Sequence, residues 1–273
     1  MTIDYFEFNS IIIVVINALL IMTIGLLHGS NDLVIYQKLT GTKWRVLALY
    51  YAIVTSLFLV LYFIHPLLSL IAFVLVSAFH FGEEMNALDD FKNSILHCLL
   101  SGLVVFFMMF YFNYKEFNSV IYDLSTFQVS QNAMLIILIL TLLIYLSFFL
   151  KSIFINKIQR IKYLSQWIGM AFLASAFYLT DLLTSFTLFF VFWHSLPSVR
   201  NQTSHIYKSE SQLREYVKDA LPIYLISVIG IVIGFYLFCD ERMFSTFALF
   251  AAIIVTVPHI IIIYRLYRES RMT

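Results

Sequence analysis

Runs of roughly twenty apolar residues recur along this chain, and that recurrence limits its architecture more than any other feature. They fall at about 10–28, 46–64, 66–82, 94–112, 132–150, 161–180, 182–199, 220–238 and 244–264. Each is long enough to cross the hydrocarbon core of a bilayer as a helix. In lipid every backbone N–H and C=O must be satisfied internally, so only helices and closed barrels cross, and these runs are too long and continuous for barrel strands. The expected fold is all-α: a polytopic integral membrane helical bundle of about nine transmembrane helices, forming a single domain over residues 1–273. The number falls to eight if the joint at His65-Pro66, or the one at Asp181, is a re-entrant turn.

Composition agrees. Charged residues make up 12% of the chain and mean hydropathy is +0.89, whereas soluble domains carry about a quarter charged residues. A net charge of +1 gives no support for a nucleic-acid partner. Cys98 and Cys239 stand apart, with no spacing that suggests a metal finger or a disulfide framework. The opening MTIDYFEFNS holds Asp4 and Glu7 and no basic residue. The first run is therefore expected to be a permanent span rather than a cleaved leader.

The basic residues orient the spans. With nine spans and the N-terminus outside, the cytoplasmic side receives fifteen of the 17 lysines and arginines, and the outer side only Lys115 and Arg242. Such asymmetry follows the positive-inside rule and puts the C-terminus in the cytoplasm. The longest polar stretches are 113–131, expected outside, and 200–219, expected inside and compatible with a surface amphipathic helix. No internal repeat or low-complexity linker interrupts the pattern.

This orientation assigns a depth to each histidine. His28 and His80 end the first and third runs on the cytoplasmic side, and His194 and His259 each lie five residues from the cytoplasmic end of theirs. Four imidazoles from four helices thus share one depth, with His97 as a candidate fifth. His65 falls on the opposite side and His205 in a loop. A lone histidine at a helix end is more often an interfacial hydrogen-bonding residue than a ligand. Four at one depth shift the balance, because ionisable groups inside spans are costly and mark functional interiors.

Carboxylates accompany them. Asp32 follows His28 by four residues and Glu84 follows His80 by four, which on a continuous helix puts each acid on its histidine's face. A metal-bound imidazole usually donates its second N–H to a carboxylate or carbonyl. Asp32 and Glu84 suit that supporting role, and Ser198, four residues after His194, a weaker form of it. Gly29 and Gly82 would let backbones approach closely. An all-imidazole site suits iron, copper, zinc or nickel, and ligand type alone does not choose among them.

In this order along the chain, HGSND at 28–32, HFGEE at 80–84, FWHSLPS at 192–198 and VPH at 257–259 resemble the Brp/Blh family of bacterial and archaeal membrane β-carotene 15,15'-dioxygenases. About twenty residues carry the resemblance, spread over nearly the whole chain. It implies a non-haem Fe(2+) centre that cleaves β-carotene with dioxygen into two retinals, in a prokaryotic inner membrane, with a retinal-binding rhodopsin as downstream client. By motif the ligands would be His28, His80, His194 and His259, with no catalytic residue beyond the metal centre. One departure stands out: family members often carry a second histidine four residues after the WHS histidine, where this chain has Ser198.

Aromatic residues make up 18% of the chain. Most are expected as lipid-facing filler and interface anchors. Trp193, Tyr111, Tyr145 and Tyr178 interrupt apolar runs and are candidates for lining a polyene tunnel. Rival functions are a family member acting on another carotenoid or inactive in cleavage, and a His- and acid-lined transporter. The absence of a repeat counts against the transporter. A membrane desaturase or hydroxylase would resemble its relatives in HxxxH and HxxHH clusters, which this sequence lacks.

Overall fold

The computed structural model describes residues 5–85, 95–153, 157–207, 211–237, 256–260 and 263, and among them there is no strand. The helices are α1 (Tyr5–Leu20), α2 (Leu26–Ser30), α3 (Asp32–Thr40), α4 (Trp44–Ile64), α5 (Pro66–Met85), α6 (Ile95–Phe112), α7 (Tyr114–Ser125), α8 (Gln131–Ile153), α9 (Lys157–Leu179), α10 (Leu182–Thr187), α11 (Leu196–Ile206) and α12 (Gln212–Leu237). Two π-helical segments, Ile21–Gly25 and Leu188–Ser195, join α1 to α2 and α10 to α11. The structure thus makes two of the apolar runs irregular, which periodicity did not suggest.

Seven stretches among the described residues are long and apolar enough to cross a membrane: Ile11–Lys38, Trp44–Ile64, Pro66–Met85, Ile95–Phe112, Gln131–Phe148, Leu182–Ser204 and Gln212–Gly234. The run at 161–180 forms most of α9, whose apolar part, Leu164–Leu179, is shorter. The run at 244–264 lies mostly outside the described residues, as does Cys239. An all-helical membrane protein is the result.

Local chemistry sets the joints. Pro66 lacks an N–H and suits the first turn of α5, while the His65 ring accepts the backbone N–H of Leu68 at 3.3 Å. Asp181 starts α10 in the same manner: its carboxylate accepts the Thr184 N–H and hydroxyl, each at 2.8 Å. Both joints are therefore helix boundaries with caps. Gly41 ends α3 at φ 69°, a left-handed turn that glycine adopts without a Cβ clash. The polar stretch 113–131 contains α7, an amphipathic helix that buries Ile121 and Leu124. The stretch 200–219 is not one surface helix. It divides between the end of α11 and the start of α12, so residue 205 is helical rather than in a loop.

The chain forms two compact units, Met1–Val60 with Phe186–Thr273, and Leu61–Ser185. The second is organised around α6, which packs on α5, α8 and α9. Its closest approach is to α5: a Cβ on Gly82 would overlap the Cys98 carbonyl, and one on Gly102 would overlap the Ala78 carbonyl. Small residues thus let two apolar helices meet backbone to backbone, which is how helices adhere in lipid without a hydrophobic driving force between them. At the far end of α6, the Asn113 amide donates to the Met109 and Phe177 carbonyls and to the Ser185 hydroxyl.

In the first unit the two π-helical segments pack on each other and α2 packs on α12. Gly25 faces the Phe190 ring, whose Cε1 would lie 2.6 Å from an added Cβ. Ile35, Tyr207 and Tyr216 form a small buried cluster next to Leu27 and Val199. At its edge Lys38 pairs with Asp219 at 2.5 Å, and Tyr207 donates to the same carboxylate at 2.8 Å.

Candidate metal centre

Three histidines converge within the first unit. His28 sits in the one-turn helix α2, His194 near the end of the second π-helical segment, and His259 in the helical stretch 256–260. They are 3%, 3% and 2% exposed. The ring centroids of His28 lie 5.0 Å from His194 and 4.7 Å from His259, with the rings nearly perpendicular in both pairs. Each offers a nitrogen such that all three atoms lie within 4.8 Å of one another, a spacing that could hold one metal ion.

The closest of these contacts tests that fit. His28 Nε2 and His194 Nε2 are 3.2 Å apart. Two imidazole nitrogens bound at about 2.1 Å to one ion stand roughly 3.0–3.4 Å apart for right-angled to tetrahedral geometry. The observed separation falls within that range. Three buried imidazoles also form a donor set suited to a first-row transition metal.

The opposite sides of two rings are tied to acceptors. His28 Nδ1 bonds the carbonyl of Gly25, three residues earlier. His259 Nδ1 lies 2.8 Å from Asp32 Oδ2. A nitrogen that donates at Nδ1 leaves the Nε2 lone pair outward, the tautomer a metal requires. Asp32, 1% exposed, also accepts the Tyr51 hydroxyl at 2.7 Å on the same oxygen.

This corrects one expectation. Asp32 serves His259 and not His28, because the helix does not continue through HGSND. It breaks at Asn31, with φ −95° and ψ −3°, so α2 ends at Ser30 and α3 begins at Asp32. The four-residue spacing therefore does not align the two side chains, and the Gly25 carbonyl takes the place expected of the acid. Gly29 differs as well: a Cβ there would meet His259 Nδ1 at 3.6 Å, an ordinary contact rather than a forced close approach.

Next to the His28 backbone lies a polar layer of which the sequence suggested only Ser198. The Tyr216 hydroxyl lies 3.1 Å from the His28 carbonyl and 2.9 Å from Gln202 Oε1. The Gln202 amide donates to Ser198 at 3.2 Å. Ser198 thus joins a chain ending on the backbone of His28. Asn31 donates to the Tyr207 hydroxyl at 3.0 Å. Ser198 and Asn31 lie inside the motifs, whereas Tyr207, Tyr216 and Gln202 lie outside all four, so no motif could have found those three.

The other candidates distribute as follows. His80 and Glu84 stand one turn apart near the end of α5, in the second unit, with His80 buried. His97 is also buried there, stacked on Tyr145 at 5.3 Å and packed on Phe148 at 5.1 Å. Tyr145 is fully enclosed, with Trp167 on another side at 5.5 Å. Tyr178 is 72% exposed and meets Phe112 edge-on, which makes it an outward-facing residue. Tyr111 and Trp193 are half-buried. Phe190, which no motif singled out, stacks with His194 and meets His28 edge-on at 5.5 Å.

A model of the family described as Beta-carotene 15,15'-dioxygenase matches residues 19–267. No curated protein and no solved structure matches the chain. The match covers every residue of the three-histidine cluster and all four motifs, and by it the chain belongs to the beta-carotene 15,15'-dioxygenase family.

Proposed function

We propose that this protein is a membrane non-haem iron oxygenase that cleaves β-carotene at its central 15,15' double bond with dioxygen, giving two molecules of retinal. The convergence of His28, His194 and His259 in a buried cluster is the observation that carries the reading. The HFG motif nominates His80 as a further ligand. On this reading Asp32 supports the site through His259, Glu84 accompanies His80, and Ser198 belongs to the layer that holds the backbone of His28.

Bound Fe(2+) would supply the redox chemistry that dioxygen needs to react with a carbon–carbon double bond. The chain's own residues do the rest. Gly25 and Asp32 fix the tautomers of two rings. Phe190 packs against the His28 and His194 rings and gives the cluster an apolar neighbour. The stoichiometry closes without another reductant: one C40 polyene and one dioxygen become two C20 aldehydes, each new carbonyl ending one half.

The substrate is lipid-soluble, which suits a site in an apolar helical protein. The same proposal takes nine spans with the N-terminus outside and the C-terminus in the cytoplasm, as one transmembrane domain in a prokaryotic cell membrane. A retinal-binding rhodopsin is the proposed client of the product. Expression in a host that accumulates β-carotene tests the reading. Orange pigment should fade and retinal appear, and His194→Ala or His80→Ala should abolish both changes. Unaltered β-carotene in cells holding folded, iron-loaded protein would refute cleavage of this substrate.

A further inference from the structure

Tyr51 lies on α4, far in sequence from every motif, yet its hydroxyl ends on the carboxylate that holds His259. Both donors, Tyr51 Oη at 2.7 Å and His259 Nδ1 at 2.8 Å, fall on the same oxygen, Asp32 Oδ2. The other oxygen, Oδ1, is buried and has no hydrogen-bond partner among the described residues. Two bonds at one atom therefore set the carboxylate's rotation, and His259 supplies one of them. Without Tyr51 the acid would be oriented only by the ring it is meant to orient. A buried acceptor with a single donor is also costly, so the side chain would turn toward any other donor within reach.

The backbone makes this dependence sharper. Asp32 follows the break at Asn31 and opens α3, so the regular helix ladder on its N-terminal side does not fix its placement. We propose that Tyr51 is a positioning residue for the metal centre: its hydroxyl locks Asp32, and Asp32 in turn holds His259 with Nε2 directed at the ion. This rests on the iron-site reading above. It assigns a role in that site to helix α4, which carries none of the family's histidine motifs.

The test is iron(II) affinity, measured by chelator competition on the detergent-purified full chain, for the parent, Tyr51→Phe, Asp32→Ala and the double variant. Tyr51→Phe keeps the ring and removes only the hydroxyl. Affinity should fall by about 10–100-fold, the effect typical of removing a group that supports a ligand. Because Tyr51 acts through Asp32, adding Tyr51→Phe to Asp32→Ala should weaken binding no further. A hydroxyl that merely fastened α4 to α3 would lower the melting temperature and leave the affinity of the folded protein unchanged. That result, or full additivity in the double variant, would overturn the role of Tyr51. A parent protein that binds no iron at all would instead remove the iron reading on which the role depends.

Discussion

Asn31 is the residue on which the geometry of the centre turns. As a single turn residue between α2 and α3 it interrupts the regular ladder between His28 and Asp32, and the acid bonds His259 while His28 bonds the carbonyl of Gly25. The histidines themselves were legible in the sequence, because imidazoles at one depth in several spans are costly unless they serve a site. Their hydrogen-bond partners were not. A spacing of four residues implies a shared face only while the helix stays regular, and here it does not. His97, assigned the same depth, has a different kind of environment, against the Tyr145 and Phe148 rings in the second unit. Substitution separates the two classes. His28→Ala should lower iron in purified protein from stoichiometric to background by elemental analysis. His97→Phe should retain it and show its effect as a shift in melting temperature.

At the scale of the element, the helices were readable and their irregularities were not. Apolar length identified the spans, and Pro66 and Asp181 marked two boundaries that the structure shows as capped joints. The π-helical turns at Ile21–Gly25 and Leu188–Ser195 left no trace in composition, because an i→i+5 ladder uses the same apolar letters as an α-helix. Gly82 was a better signpost, and the structure adds Gly102 beside it. Each sits where a side chain would collide with a carbonyl of the facing helix, so the α5–α6 contact depends on hydrogen in place of a methyl group. Gly102→Val is expected to overpack this contact at a cost of about 1–3 kcal/mol or more. It should appear as reduced yield of monodisperse protein and a lower melting temperature by fluorescence. The equivalent change at Gly230, which faces open space, should leave both nearly unaltered.

For the whole molecule, amino-acid content established the class: an all-helical protein with seven described stretches suited to a bilayer. The distribution of lysine and arginine makes a further claim about orientation, open to direct measurement. In a background with Cys98 and Cys239 replaced by serine, a cysteine at Thr42 should react only with reagent reaching the cytoplasmic side, and one at Thr126 only from outside. Reversed labelling would invert the orientation while leaving the centre's chemistry intact. The family could be approached from four short motifs because those segments carry the imidazoles. Tyr51, Tyr216 and Gln202 could not, since packing in three dimensions brings them to the site from positions with no regular interval.

The irregular turns ahead of His28 and around His194 bear on any attempt to move this chemistry into a new protein. A designer who copied the three imidazoles onto evenly wound helices would reproduce the letters and misdirect the side chains. The wide turns would have to travel with them, together with the aromatic ring of Phe190 wedged against Gly25.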